Sequence, residues 1–376
     1  MELPDKSRFP RAREVAYLDT GAEGLPPVDA EEALRAYYRD KAGGTPGRKQ
    51  LYQEERACVR AAARLLGAPP EDAALLSSAS EGLNILANSL DWRPGDEVLI
   101  SDLEFPSGVL AWLRLRDRGV RLRVVQSEAG AASFERYAEA IGPATRVVCI
   151  SQVSYKTGAN CRFLAELGRE AHRRGAVLAV DATQALGRVP VSLEGVDYLV
   201  ASSYKWLLGV HGLGLVYLAP GLRERLSAGT LGWYSVQDVF AADRFERYLP
   251  KPGAARLVSG MPNFPAIYVL RRSLELLLEA DVHFIDRTLA PLIDQLREGI
   301  AGLGLEVLTP AAPEWRSGIV SFAHPEAPRV GAALEQAGVI VWSGDGRVRA
   351  SVHLYNDAAD VERLLCALEA TTCPVR

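Results

Sequence analysis

VVCISQVSYKTGANCRFLAELGREAHRRGAVLAVDATQALG, residues 147–187, reads in one pass as strand, polar loop, helix, strand and polar turn. Residues 147–150 and 177–180 are short, β-rich and apolar, the composition of strands buried on both faces. Between them, 163–174 places Leu164, Leu167 and Ala171 at helical spacing among charged positions. The same alternation runs outward in both directions. Residues 97–100, 122–125, 198–201 and 213–218 read as further buried strands, and 83–90, 107–118 and 134–141 as helices. Strand–helix alternation of this kind predicts an α/β fold, a mostly parallel central sheet sandwiched by helices. Ligands of such sheets sit at the carboxyl ends of the strands, so the residues just past each strand carry the functional reading.

Beyond residue 250 the texture changes. Long helices are expected over 265–280 and 288–303, a β-like segment over 318–322, a helix over 330–337 and a strand over 348–353. A last helix opens at Asn356 or Asp357, both good N-caps, and runs to about 369. This is a smaller α+β C-terminal domain. The expected organisation is an N-terminal arm (1–28) packing on the small domain, a large domain (29–255) and the small domain (256–376), with the boundary in the loop-like stretch 249–260.

The chain has 376 residues, 48% hydrophobic and 24% charged, enough for about two domains and a large core. A net charge of −4 argues against nucleic acid or an anionic membrane as a partner. No run reaches the ~18 apolar residues of a membrane span; the closest, around 196–218, carries Asp197, Lys205 and His211. The N-terminus lacks a secretory h-region. Five cysteines (Cys58, Cys149, Cys161, Cys366, Cys373) without a CxxC pair suit a reduced, cytoplasmic protein. The five histidines show no metal-ligand spacing, and no metal is expected. Only six of the 43 basic residues are lysines (6, 41, 49, 156, 205 and 251), which leaves 37 arginines and few primary amines for chemistry.

Three sites follow strands. Ser77-Ser78-Ala79-Ser80-Glu81-Gly82 opens a helix, and reads either as a capping box from Ser78 to Glu81 or as a phosphate cradle. Asp181 ends a buried strand, where a carboxylate either caps the next turn or meets something cationic. Lys205, in SSYKW, has no acidic neighbour from Asp197 to Glu224; it either snorkels to solvent or is held in an apolar pocket. Together the three match what pyridoxal phosphate requires. Its aldehyde needs a lysine for a Schiff base, and its ring nitrogen needs an acid to stay protonated. An apolar setting would also activate an amine whose ordinary pKa is near 10.4.

With VDATQALG (180–187) and SSYKW (202–206), the chain resembles the fold-type I, class V aminotransferase group. That group includes cysteine desulfurases, kynureninase and isopenicillin N epimerase-like proteins. The likeness runs from Tyr17-Leu18-Asp19-Thr20-Gly21 to Val352-His353-Leu354-Tyr355-Asn356. The resemblance implies a homodimeric pyridoxal-phosphate enzyme acting on an amino acid. Lys205 would form the Schiff base and serve as base at Cα, and Asp181 would pair with the ring nitrogen. Gln184 would bond the ring hydroxyl oxygen. Ser80, the Ala79 backbone, Ser202 and Tyr204 would hold the phosphate, with Phe105 stacked on the ring and Ser154 in polar contact beside it. Arg349, in RVRASVHLYN, would grip the substrate carboxylate, and Trp233 would stand near the substrate side chain. Lys156 repeats the Tyr-Lys dipeptide but precedes Asp181, whereas the family order is Asp before Lys.

The sequence also departs from its relatives. A cysteine desulfurase needs a loop cysteine shortly before the carboxylate arginine, and VIVWSGDGRVR contains none. Desulfurase chemistry is therefore disfavoured. Gly260-Met261-Pro262-Asn263 matches a segment in which a Gly-Thr pair usually reaches the neighbouring subunit's phosphate. Met261 replaces that Thr and leaves Gly260 only a backbone contact. Aminotransfer is the expected outcome, a kynureninase-like or C–S lyase reaction or epimerisation the alternative. A non-catalytic scaffold is disfavoured by the intact set of Asp181, Gln184, Lys205 and Arg349.

Overall fold

A computed structural model describes residues 2–372, so Cys373 lies outside the described residues. The strands are β1 (Ala16–Tyr17), β2 (Ala73–Leu76), β3 (Glu97–Ser101), β4 (Arg121–Val125), β5 (Thr145–Ser151), β6 (Val177–Asp181), β7 (Tyr198–Ser202), β8 (Gly214–Leu218), β9 (Ile319–Ala323), β10 (Val339–Ile340), β11 (Trp342–Gly344) and β12 (Arg347–Ser351). Seven of them form the central sheet in the order β2-β8-β7-β6-β5-β3-β4. Every neighbouring pair from β7 to β4 is parallel, and β8 alone runs against its neighbours. The α/β architecture expected from residues 147–187 is the one observed.

Burial follows from place in the sheet. Every residue of β6, β7 and β8 is buried, because helices cover both faces of these central strands. β4 differs from the expectation: it is an edge strand, and Arg121, Arg123 and Val124 are exposed. Its alternating arginines are a usual protection of a sheet edge. β2 escaped the sequence reading. Its four residues, AALL, close the opposite edge against β8. Helices Asp29–Ala42 and Gly44–Leu66 were likewise not anticipated. Both pack against helix Phe264–Ala280.

The C-terminal part forms an antiparallel sheet, β11-β12-β9, with helices Val282–Gly302, Ala327–Gln336 and Ala358–Thr372 around it. Ala16 and Tyr17 pair in parallel with Val339 and Ile340, and the Lys6 ammonium bonds Asp357 and Asp360. Among the described residues no helix is long and apolar enough to cross a membrane, and no cluster of His, Cys, Asp or Glu could hold a metal ion.

One close contact sets the helix that opens the site. Gly82, in helix Ala79–Ser89, lies so near β7 that a Cβ there would stand 2.6 Å from Val200 Cγ1. Gly82→Ala should push this helix off the sheet and lower stability by about 1–3 kcal/mol, the usual range for overpacking. Thermal melting checks this, and an unchanged Tm would show that the helix adapts freely.

Candidate active site

β5, β6 and β7 are adjacent and parallel, so their carboxyl ends lie side by side. Ser151, Asp181 and Ser202 end them, with Ser151 and Asp181 in direct register. The N-terminus of helix Ala79–Ser89 faces the same place. There Ser78 Oγ accepts from the Glu81 N–H at 3.0 Å, while the Glu81 carboxylate accepts from the N–H and Oγ of Ser77 rather than from the Ser78 N–H, so only half of the expected capping box forms. A cleft opens between these ends. It is lined by Ala79, Ser80, Phe105, Asp181, Gln184, Ser202, Tyr204 and Lys205, eight of the residues named from sequence.

Lys205 follows β7 in a tight turn. The Leu208 N–H donates to the Lys205 carbonyl at 3.0 Å, and Leu208 takes the left-handed region at φ 55°. A non-glycine residue held there marks a turn fixed by its surroundings. The N-terminal arm supplies part of that hold: the Gly24 N–H donates to the Tyr204 carbonyl at 2.8 Å. A side chain at Gly24 would collide with the Lys205 carbonyl at 2.0 Å. The amine itself lies 5.3 Å from the Phe105 ring centre and 5.6 Å from that of Tyr204. Burial, and next the Arg349 charge, push its pKa down to about 8, while Asp181 and Asp19 oppose the shift.

Asp181 is buried, and its Oδ1 accepts from the Thr183 N–H at 2.8 Å. Burial raises its pKa, against the Thr183 hydrogen bonds and the Lys205 charge. A buried carboxylate facing a cleft is the expected partner of a cationic group brought into it. Gln184 is fixed on both sides: the Trp206 indole donates to its Oε1 at 2.7 Å, and its Nε2 donates to the Gly21 carbonyl at 2.9 Å.

Arg349, on β12, stands outside the cleft lining but near enough for its charge to act on Lys205. It is buried, donates to the Tyr155 carbonyl at 3.1 Å, and lies 3.6 Å from Asp19 Oδ1 and 5.4 Å from the centre of the Trp342 ring. Its Nε has no partner. An arginine held this way keeps donors free for an incoming carboxylate. Burial raises the Asp19 pKa to about 6, even beside Arg349.

Other expected residues stand elsewhere. Ser154 is buried, but its Oγ accepts from the Lys156 and Thr157 N–H groups and caps a turn outside the cleft lining. Gly260 sits with Met261 in a neighbouring groove beside Ser77, Glu81 and Gly212. Trp233 is half exposed, stacked edge-on against Tyr234 and away from the lining. Lys156 lies outside the lining too. The preceding residue, Tyr155, lines it instead, edge-on to Phe105.

Sequence reasoning missed four contributors. Ser107 opens the next helix and bonds Ser80 Oγ at 2.7 Å, and Thr183 Oγ1 accepts from the Ser202 N–H. Asp19 faces Arg349, and nothing in YLDTG signals that partner across 330 residues of chain. Glu104 is a buried carboxyl bonded by Ser151 N, Ser151 Oγ and Ser101 Oγ. Burial raises its pKa to about 7. Only its neighbour Phe105 drew attention in the sequence.

None of the four described cysteines lines the cleft, and Cys58, Cys149 and Cys161 are buried with pKa values raised by burial. β11 and β12 join through Asp345-Gly346, both at positive φ. That is the two-residue turn of a tight hairpin.

The donor set fits pyridoxal phosphate on this chain's own geometry. An apolar-held amine, a buried carboxylate and a serine-rich helix N-terminus face one cleft. Comparison with known proteins agrees. A probable cysteine desulfurase of Methanothermobacter thermautotrophicus is 28% identical over 96% of both chains. The isopenicillin N epimerase of Streptomyces clavuligerus is 30% identical over 95% of both. A solved structure of C-DES, with glycine covalently linked to its PLP cofactor, superposes with a TM-score of 0.90 at 23% identity, over 98% of this chain and all of that one. The profile of the aminotransferase class-V family matches residues 16–364, and the chain belongs to that family.

Proposed function

We propose that the protein is a pyridoxal-phosphate enzyme acting at Cα of an amino acid, with aminotransfer as its outcome. The observation that carries this is the juxtaposition of Lys205 and Asp181 in one cleft, with Arg349 beside it. When bound, the cofactor supplies an aldehyde and an electron-withdrawing ring. Lys205 anchors it and, once freed, moves the Cα proton, a task suited to an amine whose pKa lies near 8. Asp181 holds a proton at the ring nitrogen. Arg349 fixes the substrate carboxylate, which orients Cα toward Lys205. Ser80, Ser202, Tyr204 and the N–H groups opening helix Ala79–Ser89 bind the phosphate.

The relative from Methanothermobacter favours a second reading, a lyase that breaks a C–S bond. The cleft admits it only without a protein thiol, because no described cysteine lines the cavity. Incubating the holoenzyme with an amino-acid panel separates the two. Accumulation of the cofactor's amine form without ammonia supports aminotransfer; ammonia with a keto acid supports the lyase. Under either reading, serine at both Cys366 and Cys373 leaves turnover unchanged. Loss of turnover in that variant would restore persulfide chemistry.

A further inference from the structure

Trp206 follows the proposed anchor lysine directly and is fully buried. Its ring faces His353 edge-on at 5.3 Å, and Gly318 of the small domain packs so close that a side chain there would meet Trp206 Cη2 at 2.6 Å. On those contacts alone it is a core residue between domains. Its N–H, however, goes to the one amide that lines the cleft, Gln184 Oε1, at 2.7 Å.

The polarity of that amide is forced. An indole N–H can only donate, and the Gly21 carbonyl can only accept. Gln184 must therefore give its oxygen to Trp206 and one Nε2–H to Gly21, as the distances of 2.7 and 2.9 Å show. With the amide turned over, donor would face donor and acceptor would face acceptor, both buried. The second Nε2–H is left over.

We infer that Trp206 is a positioning residue: its indole N–H locks the Gln184 amide so that a free N–H, never the carbonyl, faces the oxygen-bearing edge of the cofactor ring. This rests on the reading that Lys205 anchors pyridoxal phosphate and that Gln184 meets its ring oxygen. A donor at that oxygen favours its anionic form and so lowers the pKa of the lysine-bound chromophore. Without the indole N–H only the Gly21 carbonyl still fixes the sense of the amide, so Gln184 is held by one partner instead of two and its free N–H is aimed less firmly at the same oxygen.

The test titrates the visible absorption of the holoenzyme against pH. Trp206→Phe keeps a buried ring and removes the donor. The chromophore pKa should rise by about one unit, a part of what a hydrogen bond to a charged group contributes, and pyridoxal phosphate should dissociate faster. The charged and titratable groups facing this region are Asp19, Glu23, Asp181 and Arg349 near Lys205, with His353 and Arg188 behind the indole. They are the same in both proteins, and burial keeps His353 neutral with a pKa near 3. In a Gln184→Ala background the effect of Trp206→Phe on this pKa should vanish, because the pair then has nothing to couple. An equal shift with and without Gln184 would overturn the inference and leave Trp206 a packing residue. If Trp206→Phe does not fold, 3-benzothienylalanine at position 206 keeps the indole shape without the N–H and gives the same readout. Failure of the underlying reading looks different: no chromophore forms at Lys205 in the unmodified protein.

Discussion

Lys205→Ala abolishes covalent capture of pyridoxal phosphate and lowers turnover by at least the roughly 10²–10⁴-fold assigned to a positioned acid–base group. Both losses trace to one amine, since Lys205 is the only lysine in the cleft lining. Its pKa sets the pH dependence. The neutral amine is the nucleophile, and with a pKa lowered to about 8 roughly a tenth of it is neutral at pH 7. An ordinary lysine would be neutral in roughly 4 parts in 10,000. Capture of the cofactor by the apoprotein should therefore accelerate with rising pH and level off above about 8. Lys156→Ala should load normally. Borohydride fixation followed by peptide mapping decides the point: an adduct on Lys156, or a capture rate still climbing toward pH 10, rejects the assignment.

The sheet was legible because β5 to β8 are buried on both faces, and full burial leaves an almost unbroken apolar record. Edges leave no such record. β2 is four small or aliphatic residues, and β4 mixes arginine with valine, so one was missed and the other was given the wrong environment. The candidate site was legible where a residue ends its strand or stands within three residues of it, as Asp181 and Lys205 do. It was not where the partner comes from a distant segment. Asp19 meets Arg349, and Trp206 meets Gln184, through contacts that only the folded chain creates. Arg349 shows the limit of pattern from the other side. Arg347 lies two residues away on the same face of β12, is equally buried, and stacks on the rings of Tyr155 and Trp342. Charge and periodicity treat the two alike. Arg347 is paired with Asp345, whereas Arg349 donates to the Tyr155 carbonyl and faces Asp19.

Asp181→Asn should leave the fold intact and reduce kcat by about 10²–10³-fold, with little change in KM. The amide is isosteric and can still accept from the Thr183 N–H at the position of Oδ1, so the end of β6 keeps its local bond. The negative charge is what disappears. In a site this buried, breaking a carboxylate's pairing with a cation costs about 3–5 kcal/mol, and each 1.36 kcal/mol placed on a barrier is tenfold in rate. Under the proposed function the loss falls on kcat, because Asp181 would keep the ring nitrogen protonated so that the ring can accept the electron pair left at Cα, while Arg349 would carry substrate affinity. Burial raises the Asp181 pKa in the free site, against the Thr183 hydrogen bonds and the Lys205 charge, and under the proposed function a protonated ring nitrogen would add a further cation that favours the ionised form. Nitrogen-15 NMR of labelled cofactor in the two proteins reads the difference directly, protonated in the parent and unprotonated in the variant. A variant within threefold of the parent in kcat, or a ring nitrogen still protonated, would remove Asp181 from the chemistry.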